Sequence, residues 1–166
     1  IMPINYPGEY VLLAKTLRQQ RVDFMASYSV LGGGFNFKFV NDMPDIAENM
    51  IDVNHWYNPG SATGQAMRAR TEADGKYFTF EVYCAYMSIM FLADGFERAG
   101  TTDSEAVNAS LAASELEVDF MPYDKTNMVN GQNMGSRAVA IQAQKGDVQI
   151  IAPSKYASAN AVFPRG

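Results

Sequence analysis

The stretch from Tyr77 to Gly100, YFTFEVYCAYMSIMFLADGFERAG, constrains the fold more than any other segment of the chain. Val82, Ala85, Tyr86, Ile89, Ala93 and Phe96 recur at helical spacing, and the run from Val82 to Ala93 is apolar on almost every side. A helix apolar all round belongs in a core or in a membrane. The run is about a dozen residues, short of the roughly twenty a membrane span needs, so burial in a soluble core is expected. Glu97-Arg98-Ala99-Gly100 closes the helix with a cation in the last turn and glycine at the stop. Thr102 to Glu105 reads as a capping box opening a second helix, with Thr102 as the cap and Glu105 reaching back.

Upstream, Ile1 to Asn5 reads as the end of a short strand and Tyr6-Pro7-Gly8 as a turn. Glu9 to Gln20 is an amphipathic helix with Tyr10, Leu13, Ala14 and Leu17 on one face and Lys15 and Arg18 outward. Phe24 to Val30 is a strand that runs into the loop Leu31-Gly32-Gly33-Gly34-Phe35-Asn36, where backbone can approach a ligand closely. Pro44 to Asn49 suits one or two helical turns, and Met50 to Asn54 a third strand that delivers His55-Trp56-Tyr57 to its end. Ser61 to Ala73 is a helix weakened by Gly64. Strands alternating with helices predict an α/β fold with a parallel sheet, whose ligands sit beyond the carboxyl ends of the strands. Asn5-Tyr6, the 32–36 loop and residues 54–57 all land there. Beyond the two helices, Met121-Pro122-Tyr123 and Arg137 to Gln142 read as strands. Lys145-Gly146-Asp147 is a hairpin turn and Val148 to Ala152 the returning strand.

Composition removes several function classes. With 48% hydrophobic and 19% charged residues the chain is not disordered, and 166 residues can enclose a core. A net charge of −5 without any Lys/Arg run argues against nucleic acid. The single cysteine, Cys84, makes no intrachain disulfide and leaves the redox compartment open. Inside the apolar helix its thiol is a poor nucleophile. The glycine loop lacks the sixth-position glycine of a dinucleotide fingerprint (Phe37 stands there) and the Gly-Lys-Ser/Thr of a P-loop. Backbone amides of Gly33 and Gly34, with Asn36, remain able to meet a carboxylate; a plain strand-to-helix turn is the alternative. His55 and Trp56 are the chain's sole histidine and tryptophan. No second histidine or free cysteine nearby completes a metal site, but an aromatic pair at a strand end suits a ligand wall as well as it suits packing. No Gly-x-Ser-x-Gly elbow and no paired carboxylates point to catalysis, so catalytic residues, metals and cofactors are all absent from the expectation. Met87, Met90, Phe91 and Phe96 are expected in the core.

The order of these pieces resembles the C-terminal half of a type I periplasmic solute-binding protein of the branched-chain amino-acid transporter class. The resemblance rests on the helix ending Leu17-Arg18-Gln19-Gln20, the strand into a glycine loop, and Tyr86…Leu92-Ala93…Glu97-Arg98-Ala99-Gly100. It continues through the capped helix with Val107 and Leu111, the Lys145-Gly146-Asp147 hairpin and the tail Tyr156-Ala157-Ser158-Ala159…Phe163-Pro164. In that family two α/β lobes joined by three crossovers close on a ligand. The resemblance implies that residues 1–77 begin the C-terminal lobe, 78–122 belong to the N-terminal lobe, and 123–166 return through the hinge to complete the C-terminal lobe. Most of the N-terminal lobe is then missing, and the opening Ile1-Met2-Pro3-Ile4 reads as the result of processing or truncation upstream. A patch as apolar as the 80–98 helix rarely stays in water, so a chain carrying the missing half, or an intimate second copy, is expected to cover it.

The resemblance also assigns site residues. Tyr6 matches an aromatic cleft residue of the family approximately. Phe80, Glu81 and Tyr83 open the helix that faces the cleft from the opposite lobe, although Glu81 is equally a good first-turn acid. Amino-acid-binding members carry a glutamate in the glycine loop to pair with the ligand's ammonium group, whereas here no acid lies between Asp23 and Asp42. That departure favours a carboxylate or aromatic ligand, with Glu81 as the substitute partner for a cationic one. The implied function is a non-enzymatic periplasmic or extracytoplasmic binding component that passes a small amino-acid-like or aromatic solute to an ABC permease. Its rivals are a ligand-sensing domain of a receptor or regulator on the same scaffold, and an α/β enzyme using the glycine loop for a phosphorylated substrate.

Overall fold

A computed structural model describes residues 1–30, 35 and 37–165. Helix α1 (Pro7–Gln19) begins earlier than expected. Tyr6 and Pro7 do not form a turn: Tyr6 is the N-cap, and Pro7 enters the first helical position, where its fixed φ fits and its missing N–H is no loss. Tyr10 and Ala14 are buried, and the Tyr10 ring meets Phe39 edge-on at 5.9 Å. The strand expected at 1–5 is not formed. Ile1 alone lies beside Ser27 in a parallel two-bond pattern, its amino group donating to Ala26 O at 2.7 Å and its carbonyl accepting from Tyr28 N–H at 3.0 Å.

Strand β1 (Tyr28–Val30) is shorter than predicted. It is followed by α2 (Phe37–Asp42), which was not anticipated, then α3 (Pro44–Ala47) and β2 (Ile51–Asn54). In α4 (Ala62–Ala73) the Ser61 hydroxyl accepts the Gly64 N–H at 2.9 Å, capping the helix. Gly64 weakens the helix intrinsically but is required by packing, because a Cβ there would stand 2.6 Å from the Tyr57 ring. Arg68 then ties α4 to the last strand through a two-pronged pair with Asp147, at 3.0 and 3.2 Å.

Helices α5 (Phe80–Ala99) and α6 (Ser104–Ala112) stand where the sequence places them. The cap of α6 is one residue later than predicted. Asp103 accepts the Ala106 N–H at 3.0 Å, while the Thr101 hydroxyl accepts the Asp103 N–H at 3.1 Å; aspartate is a stronger N-cap than threonine, and it takes the position from Thr102. Residues 121–123 are buried but bend rather than form a strand, and Pro122 has no N–H to give a ladder. A small hairpin, β3 (Met128–Val129) and β4 (Gln132–Asn133), precedes β5 (Val139–Gln144) and β6 (Asp147–Ala152). The main sheet runs β1-β2-β5-β6. Only β1 and β2 are parallel; β2–β5 and β5–β6 are antiparallel, so the α/β class holds while the wholly parallel sheet does not. The β5–β6 turn is a tight two-residue connection with Lys145 at φ 56° and Gly146 at φ 77°, the conformation that matches the twist of its strands.

Helix α5 reverses one expectation. Tyr83, Met87 and Gly95 face inward, with Val82, Cys84, Met90 and Phe91 half-buried. Apart from Val82, the periodic residues that define its apolar stripe, Ala85, Tyr86, Ile89, Ala93 and Phe96, lie exposed, with Ile89 64% open. Phe96 is therefore not a core residue of this chain. The helix is apolar on both faces and the chain covers one of them. Among the described residues no helix is long and apolar enough to cross a membrane.

Candidate functional site

The carboxyl ends of the parallel pair β1–β2 open onto residues 31–36 and 55–58. Gly33, Gly34 and Asn36 lie outside the described residues. What leads up to them is a buried polar ladder between the two strands. Ser29 and Asp52 are register partners, and the Ser29 hydroxyl donates to Asp52 Oδ1 at 2.9 Å. Asn54 Nδ2 donates to Asp52 Oδ2 at 3.0 Å, and the Asn54 Oδ1 accepts the His55 N–H at 2.7 Å. Ser29, Asp52 and Asn54 are essentially inaccessible. A buried carboxylate persists only when hydrogen-bonded, and these bonds fix the strand end that carries His55. The polar positions 52 and 54 are more deeply buried than Ile51 and Val53, inverting the usual alternation.

Beyond the ladder, the chain builds an aromatic cluster. Trp56 meets Tyr57 at 5.6 Å and Phe78 edge-on at 5.9 Å; Phe78 meets Tyr57 at 5.1 Å and Tyr83 at 6.2 Å. Trp56 is only 2% exposed and Tyr83 is wholly enclosed, so both serve this chain as packing that joins the end of β2 to the first turns of α5. The Tyr83 hydroxyl is buried beside Cys84, and no hydrogen bond of proper geometry reaches it among the described residues. Burial, the largest cause, pushes that phenol far above its ordinary value, and the Cys84 thiol upward as well, in keeping with an inert thiol. His55 and Phe80 are half-buried with ring centroids 6.4 Å apart, while Glu81 is exposed in the first turn of α5. Among the described members of the predicted set, His55 and Phe80 are accessible and in ring contact, and Glu81 follows Phe80 in the first turn of α5. Tyr6, 82% exposed, has no ring contact or hydrogen bond with His55, Trp56 or Phe80 among the described residues. Among the described residues no group of acidic, histidine or cysteine side chains could hold a metal ion.

Sequence reasoning did not single out Asp52 or Phe78, and it reached Asn54 only as the start of the 54–57 strand end. The visible signal was the pair of polar residues at period two inside an otherwise apolar strand, M-I-D-V-N.

No protein-family model matches the sequence, and no curated protein matches it. Solved structures do. The leucine-binding protein LivK of Thermotoga maritima superposes with a TM-score of 0.72 at 19% identity, covering 92% of this chain and 43% of that one. A protein assigned to branched-chain amino acid ABC transport in Silicibacter pomeroyi gives 0.71 at 15% identity, covering 98% and 47%. An extracellular ligand-binding receptor of Rhodopseudomonas palustris gives 0.58 at 15% identity, covering 90% and 46%. The chain thus has the fold of part of a type I periplasmic binding protein, and it spans less than half the length of each of these structures.

Proposed function

We propose that this chain is part of a solute-binding component of an ABC importer, and that it captures a small amino-acid-like or aromatic carboxylate between two lobes. The observation that carries this reading is the approach of His55, at the end of β2, to Phe80, at the start of α5. A strand end of one lobe and the first turn of a helix of the other meet there, which is the arrangement a closing cleft needs. In this reading residues 1–77 and 123–166 form one lobe; the pairing of β2 with β5 supports that division by bringing their strands into one sheet. Residues 78–122 belong to the second lobe. The work is binding without chemistry: solute bridging the lobes shifts the open–closed equilibrium by the difference in its affinity for the two states. His55 and Phe80 offer apolar faces, Glu81 a carboxylate for a cationic group, and the Gly33–Gly34 amides with Asn36 a seat for an anionic one.

The uncovered stripe of α5, Tyr86, Ile89, Leu92 and Phe96, is the surface that the rest of such a protein, or a second copy, would occupy. An extracytoplasmic location and docking to a permease follow from the same reading. The test is mass spectrometry of the solute that co-purifies with this chain reunited with its upstream half. An aromatic or carboxylate solute, lost in Phe80→Ala, supports the proposal; the absence of any retained solute, or retention unaffected by that change, overturns it. Recovery of leucine or valine would instead restore an amino-acid site and show that the missing loop glutamate matters little. A sensing domain on the same scaffold is a second reading, favoured by the likeness to an extracellular ligand-binding receptor.

A further inference from the structure

The end of the sheet opposite the proposed cleft carries a different feature. A cavity of about 420 Å³ lies among the last turn of α1, the 21–24 segment that precedes β1, Ile46 ahead of β2, and Arg165. Because β1 and β2 are parallel, residues preceding both sit at the far end from His55 and Trp56. Three arginines line this cavity, the exposed Arg18 and Arg21 and the half-buried Arg165, with Asp23 as the one acidic residue of the lining. The chain as a whole has more acids than bases, yet none of the three arginines takes part in a salt bridge among the described residues.

Arg165 is held in advance. Its Nε donates to Glu48 O at 3.0 Å and its Nη2 to Ile46 O at 2.7 Å, and its guanidinium lies 4.8 Å over the Phe24 ring. Its backbone is pinned as well, the N–H donating to Met25 O at 2.8 Å and the carbonyl accepting from Asn49 Nδ2 at 2.8 Å. Nη1 takes no hydrogen bond among the described residues. Burial lowers the affinity of this guanidinium for its proton; Tyr10 and the Glu48 carboxylate oppose that shift and the nearby Arg18 charge adds to it. Arg21 occupies the position just after the α1 cap, with φ 52° and with Val22 N–H returning to Leu17 O at 3.0 Å. Glycine is the residue that this left-handed position ordinarily takes, so the arginine is kept there against local preference.

We propose that this cavity binds a phosphate-type oxyanion, with Arg18, Arg21 and Arg165 as its donors and Leu17 and Phe24 as an apolar wall for an organic substituent. Guanidinium groups match phosphate oxygens in pairs, and a doubly charged oxyanion offsets the excess positive charge as a monocarboxylate does not. The site is independent of the cleft reading and stands or falls separately.

The test is titration of the protein with inorganic phosphate and with phenyl phosphate at constant ionic strength, followed by phosphorus NMR line broadening and by thermal shift, with chloride as the control. Binding of either phosphate, weakened at least fivefold in Arg18→Gln and in Arg21→Gly, is expected. Arg21→Gly relieves the left-handed strain, so its melting temperature is expected to stay level or rise while binding falls; a merely structural role for Arg21 would not separate the two. Preference for phenyl phosphate identifies a monoester site, and equal binding identifies a free-phosphate site. No phosphate effect beyond that of chloride, or binding unchanged in both variants, would overturn the proposal.

Discussion

Helices α1 and α5 invert the usual relation between hydrophobicity and burial. α1 is the more polar, yet its inward residues are fully engaged: Tyr10 packs on Phe39 and its hydroxyl lies 3.2 Å from Ser27 Oγ and 3.3 Å from Met50 Sδ. α5 is the most apolar segment of the chain and still presents Tyr86, Ile89, Leu92 and Phe96 to solvent. The difference is one of available partners. Phe39 of α2, helix α3 and the residues just ahead of β1 and β2 cover the inward face of α1, while the aromatic cluster and α6 occupy only one side of α5. Helical periodicity states which residues share a face; it does not state how many faces the rest of the molecule can cover.

The comparison can be broken most decisively in the aromatic cluster. Phe78→Ala is expected to lower the unfolding free energy by about 3–5 kcal/mol in urea titrations, because Phe78 is enclosed by Trp56, Tyr57 and Tyr83. Phe96→Ser, on the open face, should change it by less than about 0.5 kcal/mol. An equal loss at Phe96 would mean that the face is covered in solution, and sedimentation velocity would then show an assembly that Ile89→Asp dissolves. Next comes the seam between α5 and α6. A Cβ on Gly95 would stand 2.4 Å from Leu111 Cδ2, so Gly95→Ala should cost about 1–3 kcal/mol in thermal denaturation unless Leu111 turns aside. At the end of α5, Gly100 sits at φ 63°, and Gly100→Ala is expected to cost about 1 kcal/mol by the same measurement.

The smallest effect is electrostatic. The Ser61 hydroxyl, which also caps α4, donates to Asp119 Oδ2 at 2.7 Å and holds that carboxyl below its ordinary value. A depressed folded-state value means that the stabilisation is fully present above the unfolded carboxyl range and fades as pH falls through the lower folded value. NMR titration of Asp119 should therefore show its midpoint rise in Ser61→Ala, and the acid-side slope of stability should flatten. An unmoved midpoint would show that the hydroxyl is not its principal partner.

Much of the local structure was legible in the chain. The extent of α5, the strand at 51–54, the turn at Lys145-Gly146 and the helix after Ser61 follow from periodicity, turn chemistry and capping, all of which act over a few residues. Asn130-Gly131 carries the same turn signal, with φ of 51° and 79°, and joins two strands of only two residues each. At the candidate site the sequence showed the residue types but not their exposure: the His55 and Phe80 rings lie 6.4 Å apart and half-buried, whereas Trp56 and Tyr83 are enclosed, since a large aromatic residue at a strand end packs inward whenever other rings are there to meet it.

By itself the sequence determined which residues form helices and hairpins, and that α5 is too apolar to be a surface helix of an ordinary kind, because these properties depend on neighbours along the chain. Only the tertiary structure decided that the sheet is mixed, that Asp52 is inside, and that the periodic stripe of α5 is the face left open. Burial is a relation between segments distant in sequence, and a helix apolar on both sides shows which of them is inward only once its packing partners are in place.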